Sequence, residues 1–245
     1  MFEEPYRWAE AVSNRREYLE DQLQSGSPVV ALPCIEGILL LSVSAGTQKI
    51  YEIYDRVALG ALGHPADVER LRNIVIDMAH LEGFNRSPSD VSARRLVQFG
   101  LAPPVKQAFE EIGRAPYIAR LLIAELGKDQ NRIFYSLNYD GVFKETHTGL
   151  VLATPGDATE RCESALKNCE RLENRGMSEV FGEAFKLWGL AEVAEDSRES
   201  HLRDVLKDRE IEAMLLSESV PGPCKVRQLS KTEMMTFSQP WRTPV

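Results

Sequence analysis

Apolar positions along this chain alternate between two spacings, and the switches between them mark its elements. Glu3 to Gln24 puts Trp8, Ala11, Val12, Leu19 and Leu23 near one face and keeps Arg15, Arg16, Glu17 and Glu20 mostly off it, which predicts an amphipathic helix. Ser25-Gly26-Ser27-Pro28 ends it, because glycine terminates helices and proline cannot continue them. Val29 to Leu32 and Ile38 to Leu41 are unbroken apolar runs, the pattern of strands buried on both faces, with Glu36-Gly37 as the turn between them. Lys49 to Tyr54 and Val57 to Leu62 are two further predicted strands. From Pro65, the residues Val68, Leu71, Ile74, Val75, Met78 and Leu81 recur at helical spacing, and Gly83 to Pro88 breaks the pattern. Ser89-x-x-Ser92 starts a second helix towards Ile112, with a kink or break expected at Pro103-Pro104.

Three strands then follow at Ile118 to Glu125, Ile133 to Tyr139 and Gly149 to Ala153, with an Asp140-Gly141 turn signal after the second. Helices return at Ala158 to Leu172 and Met177 to Ala191. Glu195 to Asp208 is strongly charged and reads as either a helix or a solvated loop. Ile211 to Ser217 and Lys225 to Leu229 flank Pro221-Gly222-Pro223 as a hairpin, and a short tail is expected beyond it. Strands in runs and helices in pairs do not fit alternating βαβ units. They suit two sheets sandwiched between paired helices in one α+β domain.

The bulk properties narrow the function. A formal net charge of -8, with no local block of Lys or Arg, argues against a nucleic-acid surface. No apolar run reaches the roughly 18 residues of a bilayer span. Glu3 and Glu4 stand where a secretion signal carries positive charge, so a cytoplasmic protein without membrane partners is expected. Cys34, Cys162, Cys169 and Cys224 form no C-x-x-C pair, and His64, His80, His147 and His201 lack ligand spacing, so no metal or other cofactor is expected. Gly-rich phosphate loops and a Gly-x-Ser-x-Gly elbow are absent from the sequence. Tyr51, Tyr54 and Tyr135 read as packing residues.

Several strings carry a resemblance. The run Gln48-Lys49-Ile50-Tyr51-Glu52-Ile53-Tyr54-Asp55-Arg56-Val57, continuing through Leu62-Gly63 and Asp67, resembles the signature segment of the proteasome family, closest to the α-type subunits of bacterial core particles. Pro116-Tyr117 before a strand ending in Ala124-Glu125, Tyr139-Asp140-Gly141 after another, and Ser27 to Leu32 as a first strand extend it over nearly the whole chain. The resemblance implies the four-layer αββα sandwich of N-terminal-nucleophile hydrolases. Within it, 1–6 would be a gate segment, 7–26 a ring helix, 27–234 the sandwich and 235–245 a tail.

Active members of that superfamily use a free N-terminal Thr, Ser or Cys assisted by a lysine. Here Ser27 matches the nucleophile and Lys49 the lysine, and Gly26 precedes Ser27 as a processing site would. Against catalysis, Val43 fills the position of the lysine's acidic partner, Pro28 restricts the backbone beside the would-be nucleophile, and the leading helix reads as structural. The resemblance therefore implies a non-catalytic subunit of a threonine-type protease complex. Seven copies would form a ring stacked on a ring of β-type subunits. The alternatives are a self-assembling hydrolase using Ser27 and Lys49, and a stand-alone ring scaffold.

In an α-type subunit the resemblance assigns further roles. Trp8, Val12, Leu19 and Leu23 would contact a neighbouring copy. Lys49 and Gly63 would bind the C-terminal tail of a ring ATPase activator, the ammonium pairing with a carboxylate and the glycine allowing close backbone approach. Met1, Phe2, Glu3, Glu4, Pro5 and Tyr6 would form the gate.

Overall fold

The computed structural model describes residues 5–111, 113–128, 131–169, 171–193 and 198–242. Its elements run α1 (Pro5–Leu23), β1 (Val29–Cys34), β2 (Gly37–Ser44), β3 (Ile50–Tyr54), β4 (Val57–Gly63), α2 (Pro65–Asn85), α3 (Ala93–Arg95), α4 (Ala102–Glu110), β5 (Ala119–Leu126), β6 (Arg132–Leu137), β7 (Phe143–Thr146), β8 (Leu150–Leu152), α5 (Asp157–Lys167), α6 (Met177–Glu192), α7 (Arg198–Asp208), β9 (Glu210–Leu216), β10 (Val226–Gln228) and α8 (Lys231–Arg242). The strands form two antiparallel five-stranded sheets, ordered β10-β9-β2-β1-β8 and β3-β4-β5-β6-β7.

Three apolar layers organise the sandwich. Val29, Ala31, Ile38, Leu40, Ala58, Leu62, Leu122, Phe134, Met214 and Leu216 fill the space between the sheets. The alternate residues of the same strands face outwards. Val30, Leu32, Leu39 and Leu41 meet Phe181, Phe185 and Trp188 of α6. Leu59, Leu121 and Ile123 meet Leu71 and Val75 of α2 and Leu96 and Leu101 of the α3–α4 region. Period-two side-chain alternation thus feeds two cores from each central strand. The result is an αββα sandwich with α1 lying outside the four layers, as the sequence led us to expect.

Several elements differ from expectation. Helix α2 passes through Gly83 to Asn85. A Cβ at Gly83 would lie 2.2 Å from the Tyr54 hydroxyl, so this glycine serves close packing inside a helix. Pro103-Pro104 does not break the second helical segment. The turns from Leu96 to Leu101 widen into a π-helix, and the Ala102 N–H reaches back to the Val97 carbonyl. This wider spacing joins α3 to α4 ahead of prolines that lack N–H groups. Ile112, the expected end of that helix, lies outside the described residues. Strand β7 was not expected, since Phe143-Lys144-Glu145-Thr146 is half charged; it is an edge strand paired only with β6. In the charged stretch, α7 buries Leu202, Val205 and Leu206 at helical spacing, while 195–197 lie outside the described residues.

The expected tail at 235–245 is helical up to Arg242, and Thr243 to Val245 lie outside the described residues. Ser230 and Glu233 form a reciprocal capping box: the Glu233 N–H donates to Ser230 Oγ at 3.2 Å, and the Ser230 N–H donates to Glu233 Oε2 at 2.8 Å. Phe237 and Trp241 then pack on Phe181 and Phe185 at ring separations of 5.4 and 5.0 Å.

Helix α1 also corrects the expectation. Leu19 and Leu23 are fully buried in the inter-sheet layer of their own chain, and Val12 packs against it. The Arg15 guanidinium donates to the carbonyls of Phe109, Glu111 and Arg114 at the end of α4, where a cation suits the exposed carbonyls. The Tyr139 hydroxyl donates to Glu20 at 2.6 Å. Leu19 and Leu23 are therefore intramolecular core residues, with Val12 partly buried at their margin, because the turn through Gly26 folds the helix back over the sheets. Trp8 alone of the predicted stripe stays half exposed, at 48%. Pro5 and Tyr6, assigned to the gate from sequence, belong to the first turn of α1; Met1 to Glu4 lie outside the described residues.

Leu19→Ala should lower the urea-unfolding free energy of the isolated chain by about 2–4 kcal/mol. Trp8→Ala should leave it within ~0.5 kcal/mol.

Candidate functional site

Ser27 and Lys49 line the same cavity, a polar space of about 490 Å³ at the open end of the sandwich. Its walls come from the α1–β1 turn (Gln24 to Pro28), the β2–β3 loop (Ser44, Ala45, Thr47, Lys49), Thr154, and Glu192 and Arg209 at the ends of α6 and α7. The sequence reading brought Ser27 and Lys49 together; it missed Thr47, Thr154, Glu192, Arg209 and Glu212.

Ser27 is an internal residue of a tight connection. The Gly26 N–H bonds the Leu23 carbonyl at 3.0 Å, and a Cβ at Gly26 would sit 2.6 Å from the Leu62 side chain. The Ser27 hydroxyl donates to the Val43 carbonyl of β2. In the full-length chain the Ser27 nitrogen is an amide, and its hydroxyl is held by a main-chain acceptor.

Lys49 immediately precedes edge strand β3, and its half-buried position distinguishes it from a solvated edge lysine. Its carbonyl accepts from the Ala61 N–H at 2.9 Å. Its own N–H donates to Glu212 Oε2 at 2.8 Å, and the Ile50 N–H donates to Glu212 Oε1 at 3.1 Å. Burial holds the Lys49 ammonium below the usual lysine range, with the negative charge of Glu212 partly offsetting this. Burial likewise raises Glu212, against the two amide hydrogen bonds and the charge of Lys49. Glu212 reaches the Lys49 main chain from β9 and, among the described residues, leaves the ammonium without a direct carboxylate partner. Across the cavity Arg209 pairs with Glu192 at 3.2 Å, and His201 Nε2 lies 3.6 Å from the same carboxylate. Among the described residues the Lys49 ammonium forms no ion pair, and the cavity around it is lined by the hydroxyl-bearing residues Ser27, Ser44, Thr47 and Thr154.

Gly63 does not line this cavity. It ends β4 at φ +143, and a Cβ there would lie 2.1 Å from the Ile118 carbonyl oxygen. The neighbouring His64 N–H bonds that carbonyl at 2.8 Å, and the Ile118 N–H donates to Asp67 at 3.0 Å. The close approach that requires glycine is therefore to the chain's own β5 entry.

Comparison with known proteins agrees with this architecture. A family model described as proteasome subunit matches residues 24–168, more than half of the chain. The proteasome subunit alpha of Mycobacterium marinum is 30% identical over 235 residues, covering 94% of this chain and 84% of that protein. The proteasome subunit alpha of Mycobacteroides abscessus is 29% identical over 231 residues, covering 85% and 86%. That of Jonesia denitrificans is 32% identical over 152 residues, covering 61% of this chain and 64% of the relative, just under two thirds of its length. The chain belongs to the proteasome subunit family, on its α-type side.

Gly63→Ala should destabilise the isolated chain by more than ~1 kcal/mol. It should lower the melting temperature further than Gly46→Ala, where φ is also positive at +103 but no atom lies within 4 Å of a new Cβ.

Proposed function

We propose that this chain is a non-catalytic α-type subunit of a cytoplasmic proteasome core particle. It forms an outer ring with copies of itself, stacks on a ring of β-type subunits that carry the nucleophile, and admits substrate through a gate built from residues 1–4 and the first turn of α1. The exposed face around Trp8 takes part in contacts around the ring. A ring ATPase activator docks by placing a C-terminal carboxylate on Lys49.

The observation that carries this reading is the pairing of a blocked Ser27 with an available Lys49 in one cavity. The serine is internal and its hydroxyl is bonded to Val43. The lysine is partly desolvated and lacks an ion-pair partner among the described residues. A cavity so equipped can hold a carboxylate by charge-assisted hydrogen bonds, yet it contains no activated nucleophile. Co-expression with a β-type partner tests the proposal. The chain alone should hydrolyse no peptide, and the pair should appear in negative stain as stacked rings that do.

A second reading, a hydrolase using Ser27 after cleavage at Gly26, draws on the fact that Ser27 and Lys49 share that cavity. Intact mass separates the two. The α-type reading expects Gly26 and Ser27 to remain joined in assembled material; a chain beginning at Ser27 would reverse it.

In the assembled particle, Lys49→Ala should abolish activator-stimulated proteolysis while leaving the rings intact in negative stain. Unchanged stimulation would remove Lys49 as the anchor.

A further inference from the structure

We propose that Glu212 is the positioning residue for Lys49: from β9 of one sheet, its carboxylate grips the main-chain N–H groups of Lys49 and Ile50 at the start of β3 in the other, and so fixes the lysine where it can receive a peptide carboxylate. This rests on the docking role of Lys49 proposed above.

The grip is specific to a carboxylate. Both oxygens are used, one on each amide, at 2.8 and 3.1 Å. A glutamine could accept only one of these bonds and would turn an NH₂ towards the other donor. Glu212 also sits on the inward face of β9, in line with Met214 and Leu216 of the inter-sheet layer, whereas Ile211, Ala213 and Leu215 face the helices. A charged residue at an inward position is costly unless its bonds are made, and here both amides satisfy it.

The grip also supplies what the local backbone lacks. Residues Ala45 to Gln48, immediately before Lys49, are exposed. Without Glu212, the Lys49 main chain would keep one bond of its own, from its carbonyl to Ala61, beside the Tyr51 hydroxyl bond to the Gln48 carbonyl. With it, three main-chain bonds span Lys49 and Ile50 and tie β3 to both sheets.

Glu212 has an electrostatic role as well. The charged groups facing Lys49 are Glu212 from β9 and, across the cavity, Arg209 after α7 and Glu192 at the end of α6, with His201 of α7 against Glu192. Burial weakens the lysine's hold on its proton, and the charge of Glu212 opposes that loss. Removing the charge therefore makes Lys49 lose its proton at a lower pH, and carboxylate binding should fail earlier on the alkaline side.

The test uses the full chain with lysines labelled by reductive [¹³C]methylation, the Lys49 resonance being assigned by its loss in Lys49→Arg. The probes are acetyl-trialanine with a free carboxylate and the same peptide as its carboxamide. In the unmutated chain the acid should move the Lys49 resonance and the amide should not. In Glu212→Gln the Lys49 titration midpoint should fall, and acid binding at neutral pH should weaken about tenfold or more. Glu212→Asp, a methylene too short to span both amides, should keep the midpoint closer to that of the unmutated chain and still weaken binding. It is the variant to read if the glutamine form fails to fold. A Lys49 midpoint and an acid affinity unchanged in both variants would overturn the role of Glu212. If the unmutated chain binds neither peptide, the docking role fails instead, and a midpoint shift in Glu212→Gln would still report the grip.

Discussion

Burying β1 and β2 on both faces is the constraint from which the rest of this structure follows. Their side chains alternate between two apolar environments, so each strand needs a partner sheet on one side and helices on the other. The second sheet repeats the demand with β4 and β5, and its outward residues call for α2 and the α3–α4 segment. Four layers are the smallest arrangement that removes all of these faces from water, and most of the stability comes from apolar area buried in three parallel slabs.

The cavity holding Lys49 exists because the sandwich is closed unequally at its ends. Helix α1 folds over one edge and seals the inter-sheet layer with Leu19 and Leu23, but the connection through Ser25 to Pro28 is too short to fill the corner beside it. Into this corner come the β2–β3 loop, the end of α6 and the residue between α7 and β9. The polar lining reflects chain ends and loops meeting where strands have stopped. Lys49 is held there by main-chain geometry, and its charge is kept partly dry.

The strands with strong apolar patterns, and the order of helices and strands, were legible in the sequence because period and run length are local properties. The misses have identifiable causes. Phe143 to Thr146 hides its strand because an edge strand needs only one apolar flank. Gly83 read as a stop, whereas its lack of a side chain answers to Tyr54, which is remote in sequence. The final helix carries a readable signal, Ser230-x-x-Glu233 followed by Met234, Phe237 and Trp241, although Pro240 near its end reads as a tail. Ser27 and Lys49 came from family resemblance. Glu212 was invisible because its partner Lys49 is 163 residues away; the only hint was an acidic residue sharing the inward phase with Met214 and Leu216, and the exposed Glu210 on that same phase blurs it.

Helix α1 has halves of different standing. Its C-terminal turns belong to the same buried layer as β1 and β4, so they can detach only when that layer opens. Its N-terminal turns, with Trp8 in contact with solvent, carry no such obligation. Hydrogen-exchange protection should therefore rise steeply along this one helix, from local fraying at its start to the protection of global unfolding near Leu23. A segment of this kind can bend or reorient at its outer end without loosening the core beneath it.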